Sequence, residues 1–195
     1  MSPKGRPEGE YRSAQHEGTP VRTTSAPRRS GDDAPAQRPR AARQPESPVA
    51  IRPVRQGDLD QVIAIDAGVT GLEKRAYWQS LYRRYGVPAK TGRQFLVADA
   101  GGNVVGFVIG EVRDWEFGSP PCGWVFAINV LPGSRLAGIG TRLLAAIYAG
   151  FRRAGVRTVR TMLARDNNLV LSFFRSQGMM TGPFIPLEID LAATD

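Results

Sequence analysis

The chain has one cysteine, one histidine and, after Lys90, no lysine at all. Each shortage removes a class of chemistry. Cys122 alone cannot close an internal disulfide, and no Cys/His cluster exists, so neither a stapled scaffold nor a metal site is expected. His16 lies far from any patterned segment, which excludes nucleophilic catalysis built on a Ser/His or Cys/His pair. Long apolar runs are missing too. Nothing approaches the roughly 20 residues that span a bilayer, and the first residues lack the compact apolar segment of a signal peptide, so a cytoplasmic protein with no membrane partner is expected.

Aromatic residues are scarce where the charge might invite nucleic acid. The net charge of +8 is spread, with nine Lys/Arg against six Asp/Glu in residues 1–48 and 17 against 12 in the remainder. In the first part only Tyr11 is aromatic, so the interleaved basic and stacking residues of a nucleic-acid surface are not there. The same 48 residues hold eight of the 15 prolines and almost no large aliphatics. Too little apolar surface is available to offset chain entropy, and residues 1–48 read as a disordered Pro/Arg-rich extension.

From Val49 the pattern becomes that of a folded domain, residues 49–195. "VAIRPV" reads as a strand. "QGDLDQVIAIDAGV" reads as a helix, with Asp58 as its cap and Leu59, Val62 and Ile63 on its apolar face. A second helix is expected over "GLEKRAYWQSLYRRYG", with Tyr77, Trp78, Leu81 and Tyr82 at helical spacing. "QFLVADA", a "GGN" turn and "VVGFVIGEVRD" read as a hairpin, and "WEFGSPPCG" as the loop leading to the strand "WVFAINV". A long helix follows, in which Ile139, Leu143, Ile147 and Phe151 recur every four residues. Then come "VRTVRTML" as a strand, "NNLVLSFFRSQG" as a short helix and "FIPLEIDL" as a closing strand. Three consecutive strands demand antiparallel pairing, whereas the strand, helix, strand unit over residues 124–163 demands a parallel crossover. The expected fold is a mixed α/β (α+β) layered domain whose sheet has helices on both faces.

The connection "NVLPGSRLAGIGTRLL", Asn129–Leu144, carries the chemistry. A Walker loop needs a lysine where Ile139 stands, and a dinucleotide fingerprint needs a third glycine where Leu143 stands. What remains is R-x-x-G-x-G, on Arg135, Gly138 and Gly140, directly before an apolar helix. Unpaired amides at a helix start, the helix dipole and glycines that admit a close approach together suit a pyrophosphate. Downstream, Asn167, Phe173, Phe174 and Gly178 stand in order, the glycine eleven residues after the asparagine.

The strand, "V-x-P" turn, R-x-x-G-x-G and helix resemble the acyl-CoA-binding motif of the GNAT superfamily of N-acetyltransferases, and the asparagine, bulky pair and glycine match a second family motif. The resemblance spans residues 49–195 and implies a mixed sheet of six to seven strands. It implies acetyl-CoA as co-substrate and direct attack of a primary amine, on a small molecule or a peptide, in a ternary complex. Ile128, Asn129 and Val130 would line the pantetheine. Arg135 and the amides of Leu136, Ala137, Gly138, Ile139, Gly140 and Thr141 would hold the pyrophosphate. Asn167 would contact the pantetheine or thioester end, or else serve as a helix cap.

The catalytic side chains of many relatives do not transfer. Phe174 stands at the position of the family's tyrosine acid, and Trp124–Val130 contains no carboxylate for a base. A thiol leaving group with a pKa of about 8.5 departs without an obligatory acid. An α-amine at about 7.7–8.0 has a useful neutral fraction that a lysine at about 10.4 lacks, which favours a low-pKa acceptor or a water relay. Glu116 and Glu111, beside the loop entering the strand, are the candidate catalytic carboxylates. Trp115 and Trp124 are candidates for an acceptor wall, and Cys122 for a thiol near the site. Two other functions stay open, a non-catalytic acyl-CoA-binding module and a nucleic-acid-associated protein using the basic extension. Acceptor choice is expected to reside in Gln56–Gly86 and the "WEFGSPPCG" loop.

Overall fold

Strand periodicity explains most of the sheet. In the computed structural model, which describes residues 48–86 and 92–191, the strands are β1 Val49–Pro53, β2 Arg93–Ala100, β3 Asn103–Arg113, β4 Cys122–Val130 and β5 Val159–Arg160. They lie in sequence order, β1 to β4 antiparallel and β5 parallel to β4. Along β2, Phe95 and Val97 face one core while Leu96 and Ala98 face the other, and β3 alternates likewise through Phe107, Val108 and Ile109. A strand apolar on both sides must be covered on both sides. Helices α1 Leu59–Thr70 and α2 Arg75–Leu81 cover the first face, and α3 Ile139–Arg153 and α4 Asn168–Ser176 the second.

The helices follow their patterns closely. Ile139, Leu143, Ile147 and Phe151 are all at most 2% exposed, so the four-residue repeat is the stripe of α3 that meets the sheet. Helix α1 ends where Gly71 takes φ 71°, a left-handed conformation suited to glycine, and its amide closes on the Ala67 carbonyl at 2.8 Å. The second helix is shorter than its pattern. It stops at Leu81 and continues as a π-helical turn, Tyr82–Gly86, with Trp78, Leu81 and Tyr85 buried and Tyr77 exposed.

Three expectations are corrected. Asp58 holds the N-cap position of α1 but its side chain makes no capping bond to that helix; it ends a preceding 3-10 turn, where its carboxylate accepts the Arg55 amide at 2.7 Å and two bonds from the Arg52 guanidinium at 2.7 and 2.9 Å. Charge-assisted bidentate pairing outcompetes a neutral amide at the helix start. "VRTVRTML" is laddered at Val159 and Arg160 only. "FIPLEIDL" does not join the sheet, which therefore has five strands rather than six to seven. Pro183 and Pro186 lack the N–H a ladder requires, and β5 offers a two-residue edge; Ile185, Leu187 and Ile189 are 71–93% exposed. The disordered reading of residues 1–48 falls, Pro48 apart, outside the described residues. No helix among those described is long and apolar enough to cross a membrane.

The Arg52 pair holds the Asp58 carboxyl below its ordinary value, against the opposing effect of burial. A depressed folded pKa adds stability that is present above the unfolded value, about 3.9, and is lost as pH falls through the folded value. Asp58→Asn is therefore expected to cost about 2 kcal/mol at neutral pH and to flatten the loss of stability below about pH 4. Urea denaturation across that range measures both, and an unchanged acid slope would contradict the assignment.

Candidate active site

Strands β4 and β5 pair only at Gly123 with Val159 and Trp124 with Arg160, then part. A bulge lies just beyond, because Gly110 faces Val125 while Ile109 faces Ala127, which leaves Phe126 as the extra residue on β4. A bulge bends and twists its strand, and this one does so where β5 is left behind. From Val125 onward β4 keeps β3 on one edge and has no ladder partner on the other. The opening is a cleft of about 360 Å³ that reaches Ile128 and Asn129 on β4, Met162 and Ala164 beyond β5, Asn167 just before α4 and Phe174 on it. A second hollow of about 320 Å³, between the ends of α3 and α4, touches Gly178 of the second motif but no residue of β4 or of the glycine turn.

The glycine turn follows the end of β4. Pro132–Ala137 form a 3-10 turn that carries Leu136 and Ala137, Gly138 takes φ 69°, and α3 begins at Ile139. The first helical bond joins the Arg142 amide to the Gly138 carbonyl at 3.1 Å, so the amides of Ile139, Gly140 and Thr141 precede the ladder and have no acceptor within the helix. No acidic residue occupies the first turn to compete for them. The two glycines serve different ends. A Cβ on Gly138 would meet nothing within 4 Å, so its need is the positive φ; one on Gly140 would lie 3.0 Å from the Phe173 ring, so its need is close packing of α3 on α4. Arg135 is exposed and its Nε donates to the Val130 carbonyl at 3.3 Å, tying the turn back to its own strand.

Asn167 caps α4, its Oδ1 accepting the Val170 amide at 3.2 Å, and also borders the cleft. Ile128 and Val130 pack against the core on the α3 side, and Asn129, half-buried, reaches the cleft. Phe174 lines the cleft, 4% exposed, with no hydroxyl to donate.

The candidate carboxylates stand elsewhere. Glu111 accepts the Tyr85 hydroxyl at 2.9 Å and Arg113 Nε at 3.2 Å, and it does not line the cleft. It is two contacts removed, since Tyr85 packs edge-on against Phe126, which does line it. Burial and the neighbouring Glu111 push the Tyr85 hydroxyl above its ordinary value. Glu116 is exposed with Arg113 at 3.8 Å, and Trp115, on the same turn, is exposed at φ 51°. Trp124 stacks under the Arg113 guanidinium at 4.4 Å, and Cys122 is buried with Arg160 3.5 Å from its sulfur. None of these four borders the cleft.

The acid that does is Asp66, on the buried side of α1. Its Oδ2 accepts the Trp78 indole N–H at 3.0 Å and meets Lys74 Nζ at 2.9 Å. Sequence reasoning missed it. Asp66 sits inside an apolar helical run, and its partners are eight and twelve residues away, beyond a turn.

The profile of the Acetyltransferase (GNAT) family matches residues 68–179, over half of the chain. The chain belongs to the GNAT acetyltransferase family. The match takes in the β4 edge, the glycine turn and Asn167, and it spans every described lining residue of the cleft except Asp66. No curated protein sequence matches it. Several solved structures share the fold. AAC(6')-Iy, in complex with the bisubstrate analog CoA-S-monomethyl-acetylneamine, is 18% identical with a TM-score of 0.64, covering 74% of this chain and 99% of that one. The aminoglycoside antibiotic 6'-N-acetyltransferase AAC(6')-Ih from Acinetobacter baumannii is 17% identical with a TM-score of 0.63, covering 74% and 99%. A transcriptional regulator from Bacillus halodurans is 18% identical with a TM-score of 0.61, covering 73% and 99%.

Proposed function

We propose that this acetyltransferase domain, residues 49–195, moves an acetyl group from acetyl-CoA to a primary amine by direct attack in a ternary complex. The observation that carries this reading is the open edge of β4 between its last pairing with β5 and the start of α3. A pantetheine arm is an extended chain of amides, and an unpaired strand edge is a row of donors and acceptors that fits one. The backbone at Ile128, Asn129 and Val130 takes the arm. The free amides of Ile139, Gly140 and Thr141, with those of Leu136, Ala137 and Gly138 and the Arg135 guanidinium, take the pyrophosphate. Asn167 keeps its cap through Oδ1 and offers its amide N–H groups to the thioester end.

In the reaction the amine nitrogen bonds to the thioester carbon, the carbon–sulfur bond breaks, and CoA leaves as thiolate while the amine proton passes to water. Donors on the β4 edge near Asn129 stabilise the charge that develops on the carbonyl oxygen, and placement of the two reactants supplies much of the rate. No side-chain acid is required for a thiolate leaving group. Glu111 and Glu116, away from the cleft, act at most through intervening groups.

Calorimetry with acetyl-CoA tests the reading. Saturable binding well below millimolar concentration is expected, followed by thiol release when an accepted amine is added. A protein that fails to bind acetyl-CoA at millimolar concentration contradicts it, and binding without thiol release across amines would favour a non-catalytic acyl-CoA module.

A further inference from the structure

The acceptor end of the cleft has a composition that selects among amines. Among the described residues lining the cleft, Asp66 and Lys74 are the only charged ones, and they neutralise each other at 2.9 Å. The carboxylate is also held by the Trp78 indole, and Asp66 is 5% exposed, so the pair is part of the wall rather than a solvated ornament. Around it the wall is apolar. Val69 from α1, Tyr77 from α2 and Met162 from the segment after β5 all border the cleft and are 53%, 48% and 67% exposed. Single exposed apolar residues are ordinary on any surface. Three from three separate elements, meeting at one opening, form a rim that water wets poorly and an apolar ligand would cover.

We infer that the acceptor is a monocationic amine carried on an apolar or aromatic body, and that the Asp66–Lys74 pair excludes polycationic amines such as aminoglycosides. This rests on the acetyl-CoA reading above. A polycation needs several uncompensated carboxylates to replace the hydration of its ammonium groups; among the described lining residues it finds one, already paired. A monoamine needs only the thioester and an apolar seat. Lys74 is thus a specificity-determining residue: it cancels the one acid among the described lining residues that could hold a second ammonium group, and it packs 5.6 Å from the Tyr77 ring centre.

The test uses the full chain with acetyl-CoA and four amines, phenylalaninamide and 2-phenylethylamine against kanamycin and spermidine, followed by thiol release. The aromatic amines are expected to exceed the polycations in kcat/KM by at least about tenfold. Lys74→Met, which frees the Asp66 carboxylate, is expected to narrow that ratio by about tenfold. Asp66→Asn, which leaves Lys74 unpaired and keeps an acceptor for the Trp78 indole, is expected to widen it by a similar factor. Opposite movements of one ratio are a signature that lost packing does not produce. If Lys74→Met fails to fold, the Asp66→Asn ratio decides alone. A preference for polycations in the unaltered protein, no turnover of either aromatic amine despite acetyl-CoA binding, or a ratio unmoved in a folded Asp66→Asn variant each overturns the inference. Loss of acetyl-CoA binding by the unaltered protein instead overturns the reading beneath it.

Discussion

Gly140→Val is expected to weaken acetyl-CoA binding by at least about 100-fold and to lower stability by about 2–3 kcal/mol. The added Cβ would stand 3.0 Å from both Cε2 and Cζ of Phe173, and the valine methyls reach further into the ring. Phe173 cannot yield freely, because it packs against Phe174 with ring centres 5.4 Å apart and belongs to the core beneath α3. The strain therefore moves the start of α3 away from α4. That displacement separates the amides of Ile139, Gly140 and Thr141 from the Asn167 side of the cleft, so one added side chain disturbs both ends of the proposed cofactor seat. Gly138→Ala is the control with a different cause. Its Cβ meets no atom within 4 Å, but its φ of 69° strains any L residue by about 1–2 kcal/mol. Alanine there is expected to keep the fold and weaken acetyl-CoA by about tenfold; valine, β-branched, would strain the same backbone more and is a poorer probe. Calorimetry and thermal unfolding on the two variants separate the effects. Wild-type affinity in both folded proteins would mean that the turn connects two elements and binds nothing.

The features legible in the sequence are those fixed by local period. The four-residue stripe of α3 and the two-residue alternation of β2 and β3 each name their buried residues, because side-chain direction in a regular element follows from spacing alone. The glycine turn was legible for a related reason, since a strand end, two glycines and a helix start occupy consecutive positions. Features set by register were not. The cleft exists because Phe126 is bulged and β5 is two residues long, and neither is encoded in the apolar pattern of "WVFAINV" or "VRTVRTML". The same limit explains "FIPLEIDL", which alternates like a strand yet forms no ladder with the sheet. The carboxylates show it again. Glu111 and Glu116 are close to β4 in sequence, but Glu111 is engaged by Tyr85 and Arg113, whereas Asp66, far away in sequence, is carried to the cleft by α1. Even Gly140 has a tertiary reason that a motif does not reveal, the face of Phe173.

Gly123→Ala is expected to be strongly destabilising, and Phe151→Ala to rescue it in part. A Cβ on Gly123 would lie 2.5 Å from Cδ2 of Phe151 and 2.8 Å from Cγ and Cε2, distances no real contact sustains. The ring has nowhere to go, because a Cβ on Gly110, one strand over, would already be 2.9 Å from its Cζ. Phe151 thus lies on the bare backbone of β3 and β4, and its 1% exposure leaves no route to solvent. Forcing the pair apart should cost about 3 kcal/mol by overpacking, and Phe151→Ala alone about 3–5 kcal/mol by opening a cavity. Together they should cost at least about 1 kcal/mol less than the sum, since the shortened side chain removes the collision. Additive losses would show that the two sites do not meet. The consequence extends to the cleft. The Gly123 amide donates to the Thr158 carbonyl at 2.9 Å, in one of the two residue pairs that join β4 to β5 before the strands diverge. Pushing β4 off α3 at that point loosens the closed end of the opening. Acetyl-CoA affinity should therefore fall in Gly123→Ala even where the protein is kept folded by low temperature, and return in part in the double variant.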